Sequence, residues 1–339
     1  MAPVPTIRMV AELAGVSTAT VSRTLSGAGT VGARTRDKVE RAVAATGFVR
    51  NAQARAFRNR SSRSVILLVR DIGNPFYLEL YKGVEEAAVD AGYKVLMGDA
   101  RDDDVRITHY VDMVRERHAD GLILMVGRFP APLLRRPDLL PPIVVALETL
   151  GGLQVPTVRI DNVAAARDAT EHLLALGHRR IAHIMGPMPD GLSTDRLRGY
   201  QAALEARGVG FDPALVSPGD FSLAAGRAAI RGLAAAGTVF TAMFAASDQM
   251  AVGAIAELRL RGRLVPDDVS VVGFDDIVLA DALEPPLTTI HQPRQEIGHR
   301  AMALMIARLD GLPAPPADLV MPTHLVVRRS TAPLSGSVK

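Results

Sequence analysis

The ten residues VSTATVSRTL, Val16 to Leu25, decide the fold of the N-terminal part of this chain. They overlap the pattern A-x-x-A-G-V-S, Ala11 to Ser17, which predicts a helix, a tight turn at a glycine and a second helix. Serine at position 17 is suited to cap the second helix, and Val21 and Leu25 are spaced to lie on one inward face of it. This arrangement is typical of a helix-turn-helix.

Further helices extend this motif to a small three-helix unit. Thr6 is expected to cap the first helix and Gly15 to end it. A third helix is predicted from about Thr35 to Thr46. The residues expected to face inward are Val10, Leu13 and Ala14 in the first helix and Val39 and Val43 in the third.

Charge is distributed unevenly along the chain. Of the 39 Lys and Arg residues, 11 lie in residues 1–64, against 3 of the 36 acidic residues, so this part has a net charge of +8 and the remainder −5. A basic head on a mildly acidic body favours binding of a polyanion by the head. A solvated charged surface without a partner is the alternative.

The second helix supplies candidate DNA-binding residues. In a helix-turn-helix this helix enters the major groove with its N-terminal residues against the base edges. The residues expected to face the groove are Thr18, Ala19 and Ser22, and those expected to face the first helix are Thr20 and Val21. Ala19 can contact a thymine methyl group, and Arg23 can reach a guanine or a phosphate. The candidates are therefore Ser17, Thr18, Ala19, Thr20, Ser22 and Arg23. An ordinary amphipathic helix is the alternative.

From Val65 onward, short apolar runs alternate with amphipathic segments such as 77–91 and 164–176. This alternation predicts parallel sheets with helices on both faces. About eight strands are more than one compact sheet needs, so we expect two lobes. The predicted strands are 65–69, 94–98, 121–126, 143–147, 157–160, 180–185, 240–246 and 269–274.

Composition excludes several classes of protein. The chain has no cysteine, which excludes disulfides, thiol catalysis and cysteine-bound metals. The first ten residues contain no long apolar stretch, and no run of 18 apolar residues occurs. We therefore expect neither a secretory signal nor a membrane span, and a cytoplasmic location fits the sequence.

Three patterns that resemble ligand sites favour ordinary structure instead. Gly27 to Gly32 matches G-x-G-x-x-G, but a helix rather than a strand precedes it. His172, His178 and His183 fit no compact set of metal ligands, and Asp102 to Asp104 is more typical of a solvated turn than of a cation site. Because no nucleophile elbow, phosphate-binding loop or zinc motif occurs, we expect no catalytic residue, no metal and no cofactor.

Several strings spread along the chain are specific in combination. They are TIRMVAELAGVSTATVSRTLSG (6–27), GNPFYLEL (73–80), ADGLIL (119–124), RIDN (159–162), LGHRRIAHI (176–184), RLRGY (196–200), SDQMAVGA (247–254), VPDDVSVVGFDD (265–276) and PPLTTIHQPRQEIG (285–298). Through them the chain closely resembles the LacI family of bacterial regulators over almost its full length. Through VSTATVSR, KVLMGDA (94–100), LPPIVVALE (140–148), GDF (219–221) and EPPLTTIHQPRQEIG (284–298) it is most similar to the cytidine-responsive repressor branch.

The resemblance implies an α/β fold, with an N-terminal helix-turn-helix head of three helices and a two-lobed, periplasmic-binding-protein-like sensor of doubly wound parallel sheets. The chain is expected to cross between the lobes near Asn162, Gln292 and Thr323. Three crossings suit closure of a cleft on a ligand. The expected domains are a DNA-binding domain at 1–49, a hinge helix or linker at 50–63 and a ligand-binding sensor at 64–339. Within the sensor, lobe 1 is expected at about 64–162 and 293–322, and lobe 2 at about 163–291 and 323–339.

Effector-binding residues follow from the resemblance, position by position. Phe76 and Tyr77 match an aromatic pair that flanks the ligand, and Phe221 matches a stacking position. Arg196 matches a ligand-binding arginine, and Asp275 matches a carboxylate that accepts hydrogen bonds from sugar hydroxyls. The weaker candidates are Ser247 and Glu148, and Asp248 is expected to cap a helix. A structural ion pair between Arg196 and Asp275 is the alternative.

The segment from Asn51 resembles the hinge helix of the family, which inserts a leucine into the minor groove of DNA. Here it reads NAQARAF, so Phe57 stands in place of the leucine, and Arg50 stands where proline is common. Phenylalanine also acts as a wedge between base steps. Asn51, Arg55 and Phe57 are therefore added to the candidate DNA-binding residues, and the two departures are expected to change the geometry of the kink.

Two kinds of function compete at this point. The first is a homodimeric transcriptional repressor that binds near-palindromic operator DNA and is controlled by a nucleoside or a sugar. The second is a solute-binding protein for a sugar or nucleoside without a role on DNA; the basic head and the missing signal sequence argue against it. An enzyme has no catalytic constellation to support it, and no membrane partner is expected.

Overall fold

The computed structural model describes residues 5–26, 31–49, 61–312 and 318–334. The chain divides into two compact units, residues 1–62 and residues 63–339. Each unit is described by itself below.

The first unit contains a three-helix cluster. Its helices are α1 (Ile7–Ala14), α2 (Thr18–Ser26) and α3 (Ala33–Thr46). Thr6 begins α1 as predicted, because its side chain accepts a hydrogen bond from the backbone N–H of Met9 at 3.4 Å. Gly15 ends α1 with φ of 64°, a left-handed conformation that costs glycine little.

The core of this cluster is small and aliphatic. Val10, Val21 and Val39 are fully buried, and Leu25 and Val43 are half-buried against them. The expectation for Leu13 is wrong, because its side chain is 60% exposed. Ala14 faces inward as predicted, and Ala11 takes the place expected for Leu13, next to Val10.

The second unit is an α/β structure. Its strands are β1 (Ser64–Val69), β2 (Lys94–Asp99), β3 (Gly121–Met125), β4 (Ile143–Ala146), β5 (Thr157–Ile160), β6 (Ile181–Ile184), β7 (Val216–Ser217), β8 (Ala242–Ala245), β9 (Ser270–Val272), β10 (Thr289–His291), β11 (Asp318–Met321) and β12 (His324–Val326). Its α-helices are α4 (Phe76–Asp90), α5 (Asp104–Arg115), α6 (Ala131–Leu134), α7 (Asn162–Ala175), α8 (Gly191–Ala206), α9 (Leu223–Ala235), α10 (Asp248–Leu260), α11 (Val278–Ala282) and α12 (Arg294–Leu309).

Two parallel sheets define two lobes. The sheet of lobe 1 has six strands in the order β11-β5-β4-β3-β1-β2, all parallel. The sheet of lobe 2 has four strands in the order β7-β6-β8-β9, also parallel. β1, β3 and β4 are completely buried, as their continuous apolar runs predict for strands covered on both faces. The predicted two-lobed α/β fold is therefore confirmed.

The chain passes between the two sheets three times. It leaves β5 of lobe 1 through α7, returns from β10 through α12, and leaves again from β11 to β12. β10 and β12 pair antiparallel in a separate two-stranded sheet, with His291 opposite His324. These crossings set the carboxyl ends of the strands of both lobes around a common cleft.

No described helix is long and apolar enough to cross a membrane.

Candidate effector cleft and nucleic-acid interface

A cleft lies at the carboxyl ends of the strands of both lobes, the usual position for ligands in open α/β sheets. Its unfilled space is about 500 Å³, part of it open to solvent. Lobe 1 and the crossings contribute most of the lining. The lining residues are Arg70, Asn74, Phe76, Tyr77, Met125, Leu147, Glu148, Ile160, Asn162, Leu192, Arg196, Phe221, Asp275 and Gln292.

Six of the seven effector residues expected from the sequence line this cleft. They are Phe76, Tyr77, Glu148, Arg196, Phe221 and Asp275. Phe76 and Tyr77 begin α4 and meet edge to face, with ring centres 5.2 Å apart. Such a pair offers an apolar wall against which the face of a ring can pack.

Ser247 does not line the cleft, so it differs from the other candidates. Its hydroxyl caps α10 by accepting a hydrogen bond from the backbone N–H of Met250 at 3.2 Å. The expectation that Asp248 is the cap is thus wrong by one residue. The carboxylate of Asp248 instead accepts hydrogen bonds from Ile277 N at 2.9 Å and from the Thr289 hydroxyl at 2.6 Å.

Arg196 is held in position from several sides. Its Nε donates to Asn162 Oδ1 at 2.9 Å, and its Nη1 donates to the carbonyl of Ala246 at 2.5 Å. Nη1 lies 4.0 Å from Asp275 Oδ1, which also accepts from Gln292 Nε2 at 2.7 Å. The guanidinium and the carboxylate therefore face each other at the limit of an ion pair, and each has other polar partners.

Burial shifts the pKa values of these groups. It lowers the pKa of Arg196, against the opposing effect of Asp275. It raises the pKa of Asp275, and here Arg196 and Arg294 oppose the rise. Burial raises the pKa of Glu148 to about 7, with Arg70 opposing the shift. Perturbed groups that converge in a cleft are typical of a functional site.

Backbone strain is also concentrated here. Leu147, Phe221 and Asp275 have φ of 76°, 68° and 119°. Residues other than glycine hold such angles only where the surrounding structure fixes them, and they cluster at ligand sites. Phe221 also stacks near both arginines of the cleft, with its ring centre 5.6 Å from the guanidinium carbon of Arg70 and 5.8 Å from that of Arg196.

Arg70 is not among the residues predicted from the sequence, and of the lining residues it makes the most ionic contacts. It follows β1 directly and is 8% exposed. Its Nη1 donates to Asp102 Oδ2 at 2.5 Å, its Nη2 donates to Asp190 Oδ2, and Glu148 Oε1 lies 4.0 Å from Nη2. Its position directly after a buried parallel strand is a signal that marks the ligand edge of a sheet.

The histidines and aspartates that suggested a metal have other partners. Asp102, expected in a solvated turn, pairs with the buried Arg70, Asp103 caps α5, and Asp104 pairs with Arg128. The hydrogen bonds of the histidines are His172 with Thr331, His178 with Thr241, Ser270 and the carbonyl of Ala332, and His183 with the carbonyl of Phe244. His183 is fully buried between Tyr200 and Phe244, and burial lowers its pKa to about 4. In the described part of the chain, no group of three or more His, Asp or Glu side chains is arranged to hold a metal ion.

The first unit presents the start of α2 to solvent. Thr18, Ala19 and Arg23 are exposed, and Thr20 and Ser22 are half-buried. The Ser17 hydroxyl accepts a hydrogen bond from Thr20 N at 3.1 Å and so caps α2 as predicted. The exposed side chains are short around position 18, which lets a flat polyanionic partner approach the helix backbone.

The candidate hinge residues Asn51, Arg55 and Phe57 lie outside the described residues, as do Gly27 to Thr30 of the G-x-G-x-x-G pattern.

Comparison with protein families agrees with this geometry. Residues 6–51 match the model described as bacterial regulatory proteins, lacI family. Residues 170–331 match the model of a periplasmic binding protein-like domain. The first match covers the three described helices of the N-terminal unit, and the second covers most of lobe 2 together with α12 and β11.

Individual relatives match over nearly the whole chain. The HTH-type transcriptional repressor CytR of Escherichia coli (strain K12) is 38% identical over 330 residues, which are 97% of this chain and 97% of that protein. The structure of a transcriptional regulator CelR–cellobiose complex is also 38% identical, with a TM-score of 0.74 over 96% of this chain and 99% of that one. The lac repressor dimer bound to operator and the anti-inducer ONPF is 26% identical, with a TM-score of 0.83 over 97% of this chain and 100% of that one.

Proposed function

Because this chain belongs to the LacI family of bacterial regulatory proteins, whose members are transcriptional regulators, we propose that it represses transcription as a homodimer bound to a near-palindromic operator. One three-helix unit reads only a few base pairs, so two copies and two half-sites are needed for a specific site. The structure of the related lac repressor is described as a dimer bound to operator, which supports this proposal.

On the DNA side, the proposal assigns base readout to the start of α2. Ala19 is assigned to thymine methyl groups, and Arg23 to a guanine edge. Thr18 and Ser22 flank them on the groove side, and Ser17 and Thr20 hold the end of the helix in shape through their mutual hydrogen bond. Asn51, Arg55 and Phe57 are proposed to enter the minor groove, with Phe57 as the wedge; this part rests on the sequence alone.

On the sensor side, the proposed effector is a nucleoside or a sugar. Phe76, Tyr77 and Phe221 supply faces for a flat or pyranose ring, and Arg196 and Asp275 supply a donor and an acceptor for its hydroxyls. Glu148 adds a second acceptor from lobe 1. The cellobiose complex of the related CelR supports a sugar-like ligand for this cleft.

One observation carries the proposal: six of the seven residues predicted from the sequence as ligand contacts, Arg196 and Asp275 among them, line one cleft between two lobes. The same chain has a capped, exposed α2 of the kind that reads DNA. A solute-binding protein needs only the cleft. The proposed binding of DNA distinguishes this chain from a solute-binding protein. We propose no catalytic activity.

The proposal is tested with the purified full-length chain. Binding sequences are selected from a pool of random DNA, and the best fragment is footprinted with and without each of a panel of nucleosides, pentoses and disaccharides. We expect two protected half-sites related by dyad symmetry and at least one compound that changes the affinity for the fragment. A single asymmetric footprint contradicts the dimer, and a panel without any effect contradicts the assigned effector class.

A further inference from the structure

Two features of the cleft would ordinarily bind a phosphate group. A guanidinium binds phosphate with paired hydrogen bonds, and the N-terminus of a helix offers free N–H groups and a positive dipole end. The cleft contains both: the guanidinium is that of Arg70, and the helix is α8, whose Leu192 lies in the lining. Both belong to the lobe–lobe contact.

Carboxylates of the protein already occupy both features. Nη1 and Nη2 of Arg70 donate to Asp102 and to Asp190, and Asp190 is the residue that precedes α8. The N–H of Leu192, in the first turn of α8, donates to Oε2 of Glu148 at 3.3 Å. Arg70 and Glu148 belong to lobe 1 and Asp190 and Leu192 to lobe 2, so these bonds also join the two lobes.

Between the contact and the backbone of lobe 1 there is no room for an additional anion. A Cβ atom at Gly127 would lie 2.4 Å from the carboxyl carbon of Asp190 and 2.5 Å from Nη2 of Arg70. The backbone of lobe 1 thus packs directly on this ion pair. A phosphate that reached Arg70 would have to displace a carboxylate, and the displaced carboxylate would remain buried nearby.

The charge balance points the same way. Two arginines and two carboxylic acids line the cleft, and Asp102 and Asp190 add two further carboxylates on Arg70. Burial raises the pKa values of Glu148 and Asp102, and in each case Asp190 adds to the rise. Even with Glu148 protonated, the carboxylates of Asp102 and Asp190 outnumber the one guanidinium of Arg70, and another negative charge is unfavourable there.

We propose that Asp102, Asp190 and Glu148 make the cleft select an uncharged, hydroxyl-bearing ring, and reject its phosphorylated form, by reserving Arg70 and the α8 N-terminus for closure of the lobes. This inference rests on the proposed function, since it takes the cleft as the effector site. Hydroxyl groups suit the site because they can donate to Asp275 and Glu148, whereas a phosphate at neutral pH offers mainly acceptors.

The first test uses matched pairs of probes and the unmodified protein. Cytidine is compared with cytidine 5′-monophosphate, ribose with ribose 5-phosphate, and cellobiose with its 6-phosphate, by calorimetry on the full-length chain. For whichever pair contains a ligand, we expect the uncharged member to bind at least about a hundredfold more tightly, the equivalent of one lost charged contact together with charge repulsion. Equal affinities, or tighter binding of a phosphorylated member, would overturn the inference and leave the effector site intact.

The second test uses inorganic phosphate and needs no knowledge of the effector. The unmodified chain is expected to show no phosphate binding that depends on Arg70. The double variant Asp102→Asn/Asp190→Asn is expected to gain a phosphate site, seen as a rise in its unfolding temperature at millimolar phosphate over a chloride control of equal ionic strength.

Adding Arg70→Gln to the double variant should abolish the gain, which separates this site from binding of phosphate to the basic N-terminal unit. The inference is contradicted if the unmodified chain binds phosphate and Arg70→Gln removes that binding. It is also contradicted if the double variant folds but gains no phosphate binding. If the double variant does not fold, the matched pairs decide. Failure of the proposed function has a different signature, because no uncharged compound would then alter DNA binding.

Discussion

The guanidinium carbon of Arg196 lies 3.7 Å from the centre of the Phe274 ring, stacked over its face. This cation–π contact, together with the bonds to Asn162 and Ala246, fixes the arginine before any ligand arrives. A preorganised donor loses little conformational entropy on binding. Asp275, which follows Phe274, therefore lies beside a rigid partner. A substitution of its carboxylate should change effector binding without moving Arg196.

We predict that Asp275→Asn weakens effector binding roughly ten- to hundredfold, because a charge-assisted hydrogen bond is replaced by a neutral one. Asparagine has the same shape as the aspartate that already holds φ of 119° at this position, so the backbone should be retained. Operator affinity without effector should stay within about twofold of the parent. Calorimetry and a mobility-shift titration measure the two affinities. Asp281→Asn, at an 81% exposed side chain on α11, is the matched control; equal effects of the two variants would contradict the assignment.

For the N-terminal unit, we predict that Arg23→Ala weakens binding to the selected operator by about 1–3 kcal/mol, the value of a paired contact with a guanine. Arg23 is exposed on α2 and has no role in the core of the unit, so folding should not change. The same titration on random DNA of equal length is the control. A loss of the same size on random DNA would reassign Arg23 to a phosphate contact.

Much of the fold follows from the sequence because burial leaves a local pattern. The eight predicted strands are all present, since each is an apolar run bounded by turns. β11 was not predicted because it lies at the edge of its sheet, where its residues alternate between exposed and half-buried and no apolar run results. β7, with two residues, and β10 and β12, with three each, are too short for a periodicity to appear.

In the helix-turn-helix, the apolar pattern of the sequence predicts the helices but not every residue of their inward faces. Leu13 matched the apolar stripe of α1, but the inward face is made by Val10, Ala11 and Ala14. α1 packs on both α2 and α3 within one small core, and small alanines allow the close approach that a leucine would prevent. A helix of eight residues gives too few repeats to decide between neighbouring faces.

The residues of the candidate site also fall into those that the sequence predicts and those that it does not. Residues such as Arg196 and Asp275 could be assigned because each stands in a recognisable string. The Arg70 cluster could not, because Arg70 and Asp190 are separated by 120 positions and are brought together only by the contact between the two lobes. The cap of α10 was assigned to Asp248 and not to Ser247, since serine and aspartate both cap helices and only the hydrogen bonds distinguish them.

Helix packing in lobe 2 gives a prediction on stability. α9 and α10 cross so closely that a Cβ at Gly226 would lie 2.1 Å from the carbonyl oxygen of Met250. We predict that Gly226→Ala destabilises the sensor by about 1–3 kcal/mol or more, because two helix backbones must move apart. Gly232, in the same helix, has open space around its Cβ position, so Gly232→Ala should be neutral or stabilise by up to about 1 kcal/mol. Urea denaturation compares the two; a similar loss in both would refute the packing argument.

The last prediction concerns pH and Glu148, which is 3% exposed. Arg70 faces this carboxyl from lobe 1, and Asp190, Leu192 N and Arg196 face it from lobe 2. Burial raises its pKa to about 7 from an ordinary 4.5, so between these values the folded protein keeps a proton that the unfolded chain has released. The contribution of this group to the free energy of unfolding must then fall as pH rises from 4.5 to 7, by up to about 3 kcal/mol, and remain constant above pH 7.

Glu148→Gln mimics the protonated form of this group. The variant should be more stable than the parent at pH 7.5 and equally stable near pH 4.5. The control Glu85→Gln, at an exposed position, should follow the parent at every pH. Unfolding temperatures of the three proteins across this range test the prediction, and parallel curves for Glu148→Gln and the parent would show that Glu148 is ionised at neutral pH in the folded sensor.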